Sequence, residues 1–387
     1  DDGGEGYNAA IGFKGEIRKI NIITRFYSST KSGTFKLQIR KQQAVLYGFD
    51  YDDIDTTPDL DKPYDYLKSL YHVYKFEDKS SSHILDKDER DIERLNSEIV
   101  FFSGHGYKTS ETHKGYGVAF NPGSLMVHDL AGMENVKVAM WSACYSSSKE
   151  NNYDTSMIDS SVAAGAKSAV GFNQSVTVSS SKTFTNRFFN KLSEGGTVSD
   201  AASYGASGLW WPWDNGKDYR IAGNKNTKIT TASINKSSIN QNEMLLNEFN
   251  TKLKEKNYVS YKITDNIIRY YKTIDGLLTN DFYDIYYSAS NNINHIKHSG
   301  HNIISEKALP INVKSTTIFN TFMENGILFN KLTDIETHYV YCIIDNKLVP
   351  IEIKYCTYES DFGIITVFAD CTNLYNGEKI NYEEICG

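Results

Sequence analysis

Two short apolar runs organise the chain. Ile99-Val100-Phe101-Phe102 leads into Ser103-Gly104-His105-Gly106, and Val136-Lys137-Val138-Ala139-Met140-Trp141 leads into Ser142-Ala143-Cys144. Each run has the length and the β-branched or aromatic content of a buried strand, and each stops at small residues. Neither alternates strictly, which suits parallel strands covered on both faces. Residues 43–49 (QAVLYGF) and 168–172 (SAVGF) read the same way, with a shorter strand at 72–76. Helical patterns lie between them at 64–71, 86–95, 156–166, 181–192 and 197–205. This alternation predicts an α/β fold with a mostly parallel sheet sandwiched by helices and joined by right-handed crossovers.

The remainder has a different pattern. Residues 1–10 are Gly-rich and acidic, and 17–26 and 34–39 alternate as a hairpin around Gly33. Residues 116–120 read as a small hairpin strand, and 127–130 lead towards the strand that carries Cys144. The Ser/Asn-rich stretch 231–242 reads as a linker. An amphipathic helix at 243–256 then precedes alternating runs at 258–263, 267–271, 282–288, 339–344 and 364–368, which predict a smaller antiparallel α+β domain. The expected organisation is an extension over 1–40, a catalytic domain over 41–230, the linker, and an accessory domain over 243–387. A length of 387 residues accommodates two such cores.

In open α/β sheets, ligands bind beyond the carboxyl ends of the strands. His105 and Cys144 stand just past two such ends and can meet over one crevice, as a thiol nucleophile and its base must. Gly106 tolerates a tight turn and close approach of a substrate, while Ala143 leaves the sulfur accessible. The competing possibility is a buried, inert cysteine and a loop histidine that never meet. His72, His83, His113 and His128 lack the spacing of metal ligands and read as surface or packing residues.

These same residues carry a resemblance. The elements EIVFFSGHGY and VKVAMWSACYSSS, with DYRIAGNKNTKI at 218–229, resemble the caspase-like (clan CD) cysteine peptidases, nearest the gingipain, CHAT and clostripain-like branch. The likeness covers residues 40–230 and implies a caspase-like sheet. Ser142-Ala143-Cys144-Tyr145-Ser146 stands where true caspases carry Gln-Ala-Cys and a following Gly. The resemblance implies peptide hydrolysis through a Cys144–His105 dyad and a thioester acyl-enzyme. It also implies an oxyanion hole made by the backbone N–H groups of Gly106 and Cys144, and it calls for no cofactor. Two rivals are a catalytically silent interaction module and a thiol-dependent acyl or peptidyl transferase.

The acidic loop after the first core strand holds Asp50, Asp52, Asp53 and Asp55, with Asp59 and Asp61 close behind. One of its carboxylates, Asp50 foremost, would hold an Arg or Lys side chain before the scissile bond. Other readings are a Ca²⁺ site, although the EF-hand spacing is missing, and a solvated loop whose aspartates cap a helix. Against a basic preference, Ser142 stands two before the nucleophile, where several basic-specific relatives carry an acidic residue. Ser142, Asn173 and Gln174 would instead form a neutral polar pocket. Trp211, in the run Trp210-Trp211-Pro212-Trp213, either lines the substrate cleft or covers the sheet edge. Lys149, in the polar loop after the nucleophile, is a candidate site of self-cleavage.

Composition adds boundaries. A net charge of −7 argues against a nucleic-acid footprint, no apolar run is long enough to span a membrane, and the resemblance implies a peptide or protein substrate as the partner. Of five cysteines, Cys342, Cys356, Cys371 and Cys386 crowd the C-terminal segment. Their number suits two disulfides and an oxidising compartment, and their spacings are too wide for zinc. The start at Asp1 rather than Met agrees with loss of a signal or pro-segment, and equally with truncation; the expected setting is secreted or cell-surface, in a bacterium.

Overall fold

The computed structural model describes residues 42–51, 54–77, 97–108, 116–120, 123–149, 155–230, 251, 253, 257–264, 266–287, 293–300, 308–312, 322–324, 327–345, 347–360, 363–382 and 385. The hairpin expected at 17–39, the helix at 86–95, the linker at 231–242 and nearly all of the helix at 243–256 lie outside them. So do Asp52, Asp53, His83, His113 and Cys386.

The N-terminal part of the described chain contains β1 (Gln43–Gly48), β2 (Asp50–Tyr51), β3 (Ile54–Asp55), α1 (Asp61–Leu67), β4 (His72–Glu77), β5 (Ile99–Ser103), β6 (Gly106–Lys108), β7 (Tyr116–Ala119) and β8 (Ser124–Met126). It continues through β9 (Val138–Ser142), α2 (Met157–Ala163), β10 (Ser168–Phe172), α3 (Val178–Ser193), α4 (Val198–Ala206) and β11 (Tyr219–Gly223). The first sheet runs β11-β10-β9-β5-β1-β4, parallel throughout except for the antiparallel edge strand β11. This is the α/β architecture expected from the apolar runs.

Two-sided burial explains why those runs do not alternate. Ala44, Leu46, Phe101, Met140 and Val170 face one core, with Phe184, Phe188, Phe189 and Leu192 of α3. Their neighbours Val45, Tyr47, Val100, Phe102, Ala139 and Trp141 face the other, with Met157 and Ile158 of α2. The α3 helix begins at Val178, earlier than the pattern implied, because Thr177 caps it: its hydroxyl accepts the Ser180 N–H at 3.2 Å. Gly205 lets α4 approach α3, since a Cβ there would stand 2.9 Å from the Phe184 carbonyl oxygen.

The C-terminal strands are β12 (Tyr258–Thr264), β13 (Ile267–Ile274), β14 (Leu277–Tyr287), β15 (Ile293–Gly300), β16 (Phe322–Glu324), β17 (Ile327–Ile344), β18 (Lys347–Ser360), β19 (Ile364–Asn373) and β20 (Lys379–Ile380). They are antiparallel except where β14 meets β17. The run expected at 339–344 is the end of the long β17. Along its path this sheet continues from β19 into β6, β7 and β8, so it reaches the segment that carries His105. Residues 42–387 form one compact unit.

Buried polar groups dock this sheet on the first. Arg269, fully buried, pairs with Asp284 at 2.6 Å and donates to the carbonyls of Ser207, Leu209 and Trp210. The Tyr382 hydroxyl donates to Asp214 at 3.3 Å. Among the described residues no helix is long and apolar enough to cross a membrane.

The expected pair of disulfides is not formed among the described residues. Cys342, Cys356 and Cys371 are buried free thiols. Strand alternation gives the reason: Cys342 and Cys371 face the main core, while Cys356 faces the opposite side of the sheet with Tyr358. Cys342 and Cys371 are themselves separated by β18. They lie opposite Val349 and Ile353, four positions apart along β18, so the ladder does not set them face to face. These thiols therefore give no argument for an oxidising compartment.

Candidate active site

The site follows from strand register. Ser103, the last residue of β5, lies opposite Ser142, the last residue of β9. Two residues further along each chain stand His105 and Cys144, which therefore leave the sheet at the same height. The Gly104 N–H donates to the Ser142 carbonyl at 3.2 Å and keeps the two exits together. A Cβ at Gly106 would overlap the Cys144 carbonyl oxygen and lie 3.1 Å from the Cys144 Cβ. A Cβ at Gly104 would overlap the Tyr51 hydroxyl. Both glycines are needed because backbone passes where a side chain would stand.

Each reactive side chain is held. The His105 ring is buried and tilted against the Tyr51 ring, with centroids 4.6 Å apart, and Tyr51 is fixed by donating to the Ala119 carbonyl at 2.6 Å. The Cys144 thiol donates to the Val176 carbonyl at 3.6 Å, and Sγ accepts the Val176 N–H at 3.4 Å. Burial pushes this thiol up to about 11, against the opposing effect of its backbone hydrogen bonds. The next residue, Tyr145, adopts φ +58°, a left-handed conformation uncommon for a residue with a Cβ. Its ring stacks on Tyr116 at 5.0 Å, and its N–H donates to the Gln174 carbonyl.

The cleft at this point is lined on the catalytic side by Thr56, Ser103, His105, Ser142, Cys144 and Ser181. Residues Ile365, Thr366 and Val367 of β19 close it. The cavity left is small, about 30 Å³. Behind Ser103 lies Asp59, whose carboxylate accepts the Ser103 hydroxyl at 2.8 Å and has Lys182 Nζ 3.7 Å away. Burial raises this carboxyl to about 6, opposed by the Ser103 hydrogen bond and by Lys182.

Of the residues expected to touch a substrate, Ser142 lines the cleft, with its hydroxyl 3.3 Å from that of Thr185. Asp50, Asn173, Gln174 and Trp211 do not. Asp50 is exposed on the short β2–β3 hairpin. Asn173 and Gln174 donate to the Asp218 carboxylate at 2.8 and 3.0 Å, and Asn173 also accepts from Ser147, so they brace the turn behind Cys144. Trp211 is fully buried, stacked between Trp213 and Tyr271. It covers the sheet because the C-terminal strands pack over it.

The acidic loop does not assemble a Ca²⁺ site from its described members. Asp55 accepts from Thr57, Asp59 from Ser103, and Asp61 pairs with Lys75. Among the described residues no group of three His, Cys, Asp or Glu is placed to hold a metal. Lys149 reaches Asp159 at 3.0 Å, beside the Arg220 that holds the same carboxylate. Sequence reasoning passed over Tyr51 and Val176, and counted Asp59 only as a neighbour of the acidic loop. Asp59 alone carried a visible signal, as a carboxylate within the loop past the first core strand.

A search of the curated proteins returns no match for this chain. The family model of the CHAT domain matches residues 72–204, a span that runs from β4 into α4 and includes both His105 and Cys144. CHAT is a family related to the caspase-like cysteine peptidases. Over those residues the parallel sheet and the paired strand ends agree with a caspase-like fold.

Proposed function

We propose that the chain is a cysteine endopeptidase acting through Cys144 and His105. The observation that carries this is the register of β5 and β9, which brings a thiol and an imidazole to one cleft beyond adjacent parallel strands. Cys144 gives its proton to His105 and attacks the scissile carbonyl. The N–H groups of Gly106 and Cys144 hold the oxyanion, and His105 returns the proton to the leaving amine. Water then attacks the thioester, and cleavage of the C–S bond restores the thiol.

The cleft supports a basic residue before the scissile bond, with Asp59 rather than Asp50 as the counter-charge. Thr56, Ser103, Ser142 and Ser181 line the cleft, and the Ser103 hydroxyl donates to the buried Asp59 carboxylate. Lys182, partly exposed, already brings a cation to that carboxylate, a place that a substrate Lys or Arg would take. Matched peptides with Lys, Arg, Ala or Asp at this position test the proposal. Cleavage is expected after Lys and Arg, lost in Cys144→Ala and undiverted by added amine. Acyl transfer to the amine would make the chain a transferase, and no product from any peptide even with the cleft uncovered would leave a silent module.

A further inference from the structure

The roof of the cleft comes from β19, far along the chain from either reactive residue. Two residue pairs join it to the catalytic layer, Ile364 with Tyr107 and Ile365 with Gly106. In an antiparallel ladder, the backbone groups of successive residues point to opposite sides. The His105 carbonyl accepts the Ala119 N–H on the β7 side, so the N–H and C=O of Gly106 turn towards β19. On the other strand the Ile364 N–H is taken by the Ser360 hydroxyl on the β18 side, so the groups of Ile365 turn towards Gly106. The Ile365 carbonyl thus faces the N–H that would otherwise hold a substrate oxyanion.

Ile365, Thr366 and Val367 cover the cleft that holds Cys144. An extended peptide would add to this same edge of β6, which is how strands are commonly recognised. The attachment is uneven. The Arg269 cluster fixes the C-terminal sheet at a distance, whereas the seam at the site is two residues long. We propose that residues 363–367 are a built-in inhibitor lying in the substrate's place, and that access to Cys144 requires the β19–β6 seam to part. This rests on the peptidase activity proposed above in so far as the displaced ligand is a peptide.

The test reads access to Cys144 separately from turnover. Iodoacetamide alkylation of Cys144 is followed by mass spectrometry in the full chain, in Ile365→Pro, and in a Tyr107→Cys/Ile364→Cys pair. Proline at 365 removes the N–H that faces Gly106 and leaves the β18 ladder its donors. Residues 107 and 364 are directly opposed outside a hydrogen-bonded pair, about 4.5 Å apart at Cα, within disulfide reach. The proline variant is expected to alkylate at least about tenfold faster than wild type, and the oxidised pair at least about tenfold slower than the reduced pair. Equal rates in all four samples overturn the inhibitor. If the proline variant does not fold, the oxidised and reduced pair decide alone. Peptide cleavage on the same samples separates the two proposals. Seam-dependent alkylation without cleavage keeps the cover and removes the peptidase; cleavage with seam-independent alkylation does the reverse.

Discussion

Replacing Asp59 by Asn isolates the energetic cost of a buried carboxylate beside the catalytic strand end. Burial raises this group from 3.8 to about 6, and it is almost wholly inaccessible, so solvent screening is slight. A folded value above the unfolded one means the folded state holds its proton more tightly. The resulting stability is fully present below the unfolded value and is lost as pH rises through about 6. At about pH 7.5 the carboxyl is ionised in both states and the proton-linked gain is absent. Near pH 4.5 the folded chain keeps a proton that the unfolded chain has largely released, a gain of about 2 kcal/mol. Asn retains an acceptor for the Ser103 hydroxyl and does not titrate. Urea unfolding of wild type and Asp59→Asn at both pH values gives a double difference in which all other titrating groups cancel. Wild type should gain about 2 kcal/mol more than the variant on acidification. Parallel pH profiles, within about 0.5 kcal/mol, would refute a buried, proton-retaining Asp59.

Two further outcomes follow from buried groups. Because burial pushes the Cys144 thiol to about 11, its alkylation rate in the closed chain should climb roughly tenfold per pH unit between about pH 7 and 10, and a plateau near pH 9 would contradict this. Arg269→Met leaves Asp284 buried without its cation, so unfolding free energy should fall by about 3–5 kcal/mol, and a loss below about 1 kcal/mol by urea titration would show the pair to be dispensable.

What was legible in the chain was what burial writes locally. Strands covered on both faces read as apolar runs, and His105 and Cys144 stood out because each follows one. The small residues around them mark where backbone must pass, as Gly106 against Cys144 shows. What was not legible depends on which distant segment arrives. Nothing near Ile365 announces that it pairs with Gly106, and nothing near Trp211 announces that Tyr271 will stack on it. The cysteines were misjudged because crowding in sequence says nothing of strand face. Cys356 points away from the core shared by Cys342 and Cys371. Arg269, in the middle of an apolar run, gave no sign that it docks one sheet on the other.

The most direct test of the Cys144–His105 chemistry is capture of the acyl-enzyme. The chain, and its Ile365→Pro variant with the cleft uncovered, are mixed with a Lys-containing peptide ester, quenched in acid and mapped by mass spectrometry. The acyl part of the ester is expected on the fragment containing Cys144, absent from Cys144→Ala and at least about a hundredfold slower to form in His105→Ala. Undiminished peptide turnover by purified Cys144→Ala protein, or no adduct at Cys144 while peptide is being cleaved, would contradict it.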